Sequence, residues 1–194
     1  LTNTTSSYNT ATGWRSLKLN TTGSTNTAVG SFALQANTTA SNNTAVGSSA
    51  LVANTTGTQN TAVGSAALDS NTTASYNTAV GTSSLQAITT GAHNTGMGRN
   101  SGVAFTTGGY NTSIGSDAHS QATTGADNTA IGYAAGGYGG GSVTTGGSNT
   151  TLGAYARVST GGVVGETVIG RFALGQGAGT GTIEMKGDVL AKTK

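Results

Sequence analysis

Residues 26–42 read Asn-Thr-Ala-Val-Gly-Ser-Phe-Ala-Leu-Gln-Ala-Asn-Thr-Thr-Ala-Ser-Asn, and residues 43–59 read Asn-Thr-Ala-Val-Gly-Ser-Ser-Ala-Leu-Val-Ala-Asn-Thr-Thr-Gly-Thr-Gln. The second stretch is the first again with a few small substitutions. The Asn that opens the unit recurs every 17 residues, at Asn9, Asn26, Asn43, Asn60, Asn77, Asn94, Asn111 and Asn128. Four extra residues around Tyr138-Gly139-Gly140-Gly141 delay the next copy to Asn149, and the one after it opens on Glu166. A strict period of this length marks a chain built from one small stacking unit. Positions within the unit are numbered here from that first Asn.

A unit of 17 residues is too short for two packed helices and a turn. Its Gly, Thr, Asn and Ser are poor helix formers. Short strands and turns remain. The pattern predicts two strands per copy, as in Thr27-Ala28-Val29-Gly30 and Ala33-Leu34-Gln35-Ala36-Asn37-Thr38, with Gly and small polar residues at the corners. One copy is then one coil of an all-β, parallel β-solenoid (β-roll) of about ten coils. Parallel strands about 4.8 Å apart give ten coils a length on the order of 50 Å.

Stacking explains which positions do not vary. Position 2 is Thr from Thr10 to Thr167, position 5 is Gly from Gly13 to Gly170, and position 1 is Asn in nine copies. The Gly suits a corner that needs positive φ or lets a neighbouring backbone approach closely. The Asn suits a turn whose amide bonds backbone or forms a ladder, which also accounts for the Asn-x-Thr sequons at Asn20, Asn37, Asn42, Asn54, Asn71 and Asn149.

Strand side chains alternate between faces. On that rule position 4, which runs Val29, Val46, Val63, Val80, Met97, Ile114, Ile131, Leu152 and Ile169, is expected inside the coil. So is position 9, which is Leu34, Leu51, Leu68, Leu85 and Leu174, together with Ala36, Ala53 and Ala87 two residues on. Such a core is thin against a backbone ordering cost of about 1–2 kcal/mol per residue. The opposite face of the first strand carries Ala28 and Gly30, Ala45 and Gly47, Ala62 and Gly64, and Ala79 and Gly81. This flat strip is expected to be the contact of a parallel homotrimer.

Towards the C-terminus the pattern changes. Position 9 becomes Gly102, His119 and Arg157, and Ile88 and Phe105 replace the Asn before Thr-Thr. The repeat array is expected over residues 1–174. Residues 175–194 read as an exit segment into a further domain, because residues 184–194 hold five of the fourteen charged residues. The start at Asn3-Thr4-Thr5 reads as the second half of a copy, so a longer protein is expected. No apolar run approaches the roughly 20 residues of a membrane-spanning helix.

Composition excludes several function classes. Cys and Pro are absent, so no disulfide or cysteine metal site forms. Net charge is +2 with 7% charged residues, and the scattered Lys and Arg make no phosphate-binding stripe; nucleic acid is not an expected partner. Asp117 and Asp127 fall in different columns, which argues against a paired-carboxylate hydrolase. His93 and His119 have no Cys or Asp company suited to a metal. No catalytic residue, metal or cofactor is expected, and the chain reads as a non-enzyme.

Variation concentrates at corners. The last position of the copy runs Tyr8, Thr25, Asn42, Gln59, Tyr76, His93, Tyr110 and Asp127, polar or aromatic throughout. Tyr8, Asn42, Gln59, Tyr76, His93, Tyr110 and Asp127 are the candidate ligand-binding column, since aromatic faces beside amides and carboxylates suit a sugar. A second corner carries Trp14, Arg15, Phe32, Arg99, Asn100, Tyr133, Tyr155, Arg171 and Phe172.

The Asn-Thr-Ala-Val-Gly corner with its Ala-Leu and Asn-Thr-Thr-Gly half resembles the parallel β-roll repeats of trimeric autotransporter adhesin heads, and is similar to repeats of bacteriophage tail fibre proteins. The likeness covers about residues 3–174. Adhesin heads use a shorter unit with Ser-Val-Ala-Ile-Gly-like corners. The resemblance implies an extended, trimeric, non-enzymatic rod, extracellular on a virion tail fibre or a bacterial cell surface, contacting cell-surface glycan or receptor. A Thr-rich ice-binding solenoid is the other class the composition admits, although a flat Thr-x-Thr face is not visible in the repeat.

Overall fold

The computed structural model describes residues 6–137, 139 and 142–177. Each copy contributes one strand of three residues: β1 (Thr10–Thr12), β2 (Thr27–Val29), β3 (Thr44–Val46), β4 (Thr61–Val63), β5 (Thr78–Val80), β6 (Thr95–Met97), β7 (Thr112–Ile114), β8 (Thr129–Ile131), β9 (Thr150–Leu152) and β10 (Thr167–Ile169). They form a single ten-stranded parallel sheet in sequence order. The chain is a β-solenoid of 17-residue coils, and its register is locked. Thr27 lies beside Thr10 and Thr44, and Ala28 beside Ala11 and Ala45. The phase survives the insertion, because Thr129 pairs with Thr150. There the Val143 N–H donates to the Gly136 carbonyl at 3.0 Å. Residues 138, 140 and 141 of that insertion, and all but the first three residues of the expected exit segment, lie outside the described residues.

The second expected strand does not form. Residues 31–36 make a run of turns instead, and 37 and 38 are not strand either. Ala33 and Leu34 are both fully buried, which adjacent residues of a strand cannot be. Left-handed backbone at every other residue makes this possible: φ is 133° at Gly30, 61° at Phe32 and 49° at Leu34. A left-handed L-residue costs about 1–2 kcal/mol. Stacking holds each in place, with the Phe32 N–H donating to the Trp14 carbonyl of one neighbouring coil at 2.8 Å and the Leu34 N–H to the Ala50 carbonyl of the other at 3.0 Å.

The faces of the remaining strand are the reverse of the expectation. Position 3 points inward, and Ala28, Ala45, Ala62 and Ala79 are fully buried in the coil. The four Ala residues of the expected trimer strip are therefore core, unavailable to another chain. Position 4 points outward; Val63 is 36% and Met97 44% exposed. Leu34, Leu51, Leu68 and Leu85 are buried as expected, and so is Leu17 at the same position of the first coil. Leu174 is exposed, and Ala36, Ala53 and Ala87 are only half-buried. The inward set of a coil is thus positions 1, 3, 8, 9, 12 and 15, exemplified by Asn26, Ala28, Ala33, Leu34, Asn37 and Ala40. Alternation alone cannot choose between the two faces of a strand this short. Volume chooses, because the narrow coil has room for Ala beside Leu but none for a further Val.

Buried amides complete this interior. At position 1 each Asn Oδ1 accepts the backbone N–H of the next Asn, as in Asn60 to Asn77 at 3.0 Å, while its Nδ2 donates across the coil, as in Asn60 to the Ala74 carbonyl at 2.8 Å. At position 12 the side chains bond each other: Asn37 Nδ2 donates to Asn20 Oδ1 at 2.8 Å, and Asn71 Nδ2 to Asn54 Oδ1 at 2.8 Å. Asn20, Asn37, Asn54, Asn71 and Asn149 are buried ladder rungs, and only Asn42 of the sequon residues is exposed. Asn60→Ala would orphan the buried Asn77 N–H, and it is expected to cost about 2–3 kcal/mol in urea unfolding. Ser65→Ala, at an exposed position five residues on in the same coil, should change stability by less than about 0.5 kcal/mol.

From the fifth coil on, the interior is rebuilt by exchange between two columns. Position 12 passes from Asn71 to Ile88 and Phe105 as position 9 passes from Leu85 to Gly102. A Cβ on Gly102 would stand 2.7 Å from both Leu85 Cδ2 and Phe105 Cδ2, so the Phe ring fills the room that the missing Leu leaves. The Asn71 Oδ1, left facing Ile88 where the next rung would be, has no hydrogen-bond partner.

Candidate functional site

The outward side of the sheet is a flat face of two ranks. Thr at position 2 lines one rank, and Thr12, Val, Met, Ile or Leu at position 4 lines the other. None of β1 to β10 carries a charged residue. A contiguous, uncharged rank in which Met97, Ile131 and Leu152 are each exposed is more apolar surface than isolated side chains of a soluble chain present.

Both expected corner columns border this face, one on each side. Position 17 precedes it. Its residues are left-handed, with φ of 60° at Tyr8, 62° at Asn42, 57° at Gln59, 63° at Tyr76, 60° at His93, 59° at Tyr110 and 59° at Asp127. That kink lets position 17 point out while Asn at position 1 turns in. Tyr76, His93 and Tyr110 form a continuous stack, with ring centroids 4.7 Å apart at both steps and planes within 6°. Stacked rings cover each other's faces. A sugar reaching this part of the column would meet mainly ring edges. Tyr8, 88% exposed, is the most open aromatic of the described residues.

Positions 6 and 7 follow the face on its other side. Trp14 and Phe32 meet edge to face at 4.8 Å, with the Arg15 guanidinium 4.3 Å above the Trp14 ring. Tyr133 meets Tyr155 edge to face at 5.1 Å, Tyr155 stacks on Phe172 at 4.9 Å, and Arg171 lies 4.4 Å over Phe172. Between these clusters Arg99 pairs with Asp117 at 2.7 Å, and Asn100 Nδ2 donates to the same carboxylate at 3.0 Å. Phe105 is buried in the core; every other described aromatic sits on one of these two edges.

Gly30, Gly47, Gly64 and Gly81, expected at an intermolecular contact, stand at the corner between face and second edge. A Cβ on Gly47 would come within 2.5 Å of the Gly64 carbonyl oxygen, so neighbouring coils of the same chain already require these glycines.

Asp117 and Asp127 lie on opposite edges of the face and do not meet within the chain. His93 is on the surface and His119 in the interior. Among the described residues no three His, Asp or Glu side chains gather as metal ligands, and no pocket opens. His119 occupies the Leu column, where its Nδ1 is 2.9 Å from Ser113 Oγ, its ring meets Phe105 edge to face at 5.6 Å, and Nε2 has no partner. Burial away from water pushes its pKa down to about 3, so the imidazole is neutral.

Glu166 escaped the sequence reading. Standing where nine copies have Asn, it is buried, accepts the Ser159 and Gly177 backbone N–H groups at 2.8 Å each, and keeps the ladder bond from its own N–H to Asn149 Oδ1 at 2.9 Å. Its signal was a lone acid in an Asn column. No protein-family model, curated protein or solved structure matches this chain.

Proposed function

We propose that this chain is a structural length of a surface fibre, a non-enzymatic rod that works by associating with copies of itself as a parallel homotrimer. The observation that carries the reading is the outward rank of aliphatic side chains from β2 to β10, uncharged and bordered on both sides by aromatic corners. The face replaces the Ala and Gly strip as the contact. Parallel strands of one register present the same two ranks at every level, so copies aligned side by side match coil for coil. A phage tail fibre is the setting the repeats resemble most, with a bacterial adhesin head as the alternative. Weak contacts to cell-surface glycans, multiplied along the rod, would supply adhesion.

Sedimentation equilibrium at several concentrations tests the reading. The expected mass is three times that of the 18.8 kDa chain. A monomer at all concentrations would sink it. The same face supports one second reading, in which the regular Thr and aliphatic ranks of a monomer lie against ice. Thermal hysteresis from a monomeric sample would establish that alternative.

A further inference from the structure

The apolar face alone is small for a stable contact. Ten strands about 4.8 Å apart and three residues wide cover on the order of 500 Å². A standard interface takes about 800 Å² from each partner. Something beside the face has to contribute. The two edges do so by position and composition: all the described surface aromatics are there, and aromatic side chains dominate contact energy in protein interfaces.

We propose that the edges close on each other between copies, the position-17 column of one chain seating against the position-6 and position-7 column of the next. This rests on the trimeric reading above. Cyclic symmetry forces the pairing. With three faces turned to a common axis and all strands running the same way round it, the leading edge of each face meets the trailing edge of its neighbour. Rotation about the axis preserves height, so residues of one coil meet those of the same coil. Tyr8 then lies beside the partner's Trp14, and Asp127 beside the partner's Tyr133, whose hydroxyl can donate to the carboxylate. Charge agrees in sign: the leading edge carries the acid Asp127, while the trailing edge carries Arg15, Arg99 and Arg171 against Asp117 alone. The aromatic columns are on this view seams between copies and not open sugar platforms.

The absence of Cys makes the test clean. Thr25 is in the leading column and Ser31 in the trailing one, six residues on, and the stretch 26–30 that crosses the sheet between them spans about 13 Å in four residue steps. A disulfide spans at most about 7 Å between Cα atoms. Mild oxidation of the full chain carrying Thr25→Cys and Ser31→Cys together is expected to give covalent dimers and trimers on a non-reducing gel. Either substitution alone should give none. Cross-linking by Thr25→Cys alone would mean like edges meet, and would overturn the seam. So would a double variant that sediments as a trimer without cross-linking, in which case the trimer stands and the edges are free for glycans. A monomer in sedimentation overturns both readings. The unmodified chain gives an independent check through its lone Trp: acrylamide quenching of Trp14 should fall several-fold on association, and equal quenching in monomer and trimer would oppose the seam.

Discussion

Gly64→Ala is expected to cost about 3–5 kcal/mol of unfolding free energy, combining backbone strain with a clash that has no escape. At Gly64 φ is 139°, a conformation that L-residues rarely adopt. An added Cβ would lie 2.5 Å from the Gly81 carbonyl oxygen and 2.6 Å from its carbon. These are backbone atoms, and the identical corner of the following coil, Gly98, leaves Gly81 nowhere to move. Loss in a repeat array spreads to neighbours through the interfaces that hold them. Urea unfolding followed by far-ultraviolet circular dichroism measures the effect, and a loss under 1 kcal/mol would show that the corner is more pliable than its geometry.

Acid is expected to weaken the rod through His119. In the unfolded chain an imidazole takes up a proton below about pH 6.5. In the folded chain burial delays this to about pH 3. Between those values the unfolded state binds more protons, so stability falls as pH falls, by up to about 1.4 kcal/mol per pH unit and roughly 5 kcal/mol across the window. The contribution is intact above pH 6.5. The groups packed round the ring, Ser113, Phe105 and the Gly136 backbone, offer no counter-charge. Asp117, two residues away, is paired with Arg99. Unfolding free energies at pH 7 and 4.5 measure the effect, and His119→Gln should flatten the difference. An unchanged pH slope in that variant would remove His119 as the cause.

The left-handed residues show why part of the coil was hidden. Leu34 and Phe32 have φ values that single-residue preference assigns to Gly or Asn, and Ala33-Leu34-Gln35-Ala36 alternates like a strand. Hydrogen bonds from the coils on either side, with burial of Leu34, hold them there. The corner columns were legible because the repeat aligns equivalent residues whatever the local backbone does. Their ring stacking was not, since it depends on a turn that points position 17 outward in every coil. Glu166 was overlooked because six scattered carboxylates gave no reason to suspect a buried one.

By itself the sequence determined the period, the parallel coil, the glycine corners and the columns that vary together, since each follows from identical units stacking in register. The tertiary structure alone decided which face of the strand is inside. Ala and Val alternate equally well either way, and what separates them is the volume left once one Leu and two Asn amides occupy the coil. That choice put Val63, Met97, Ile131 and their column outside and withdrew Ala28 and its column from any partner.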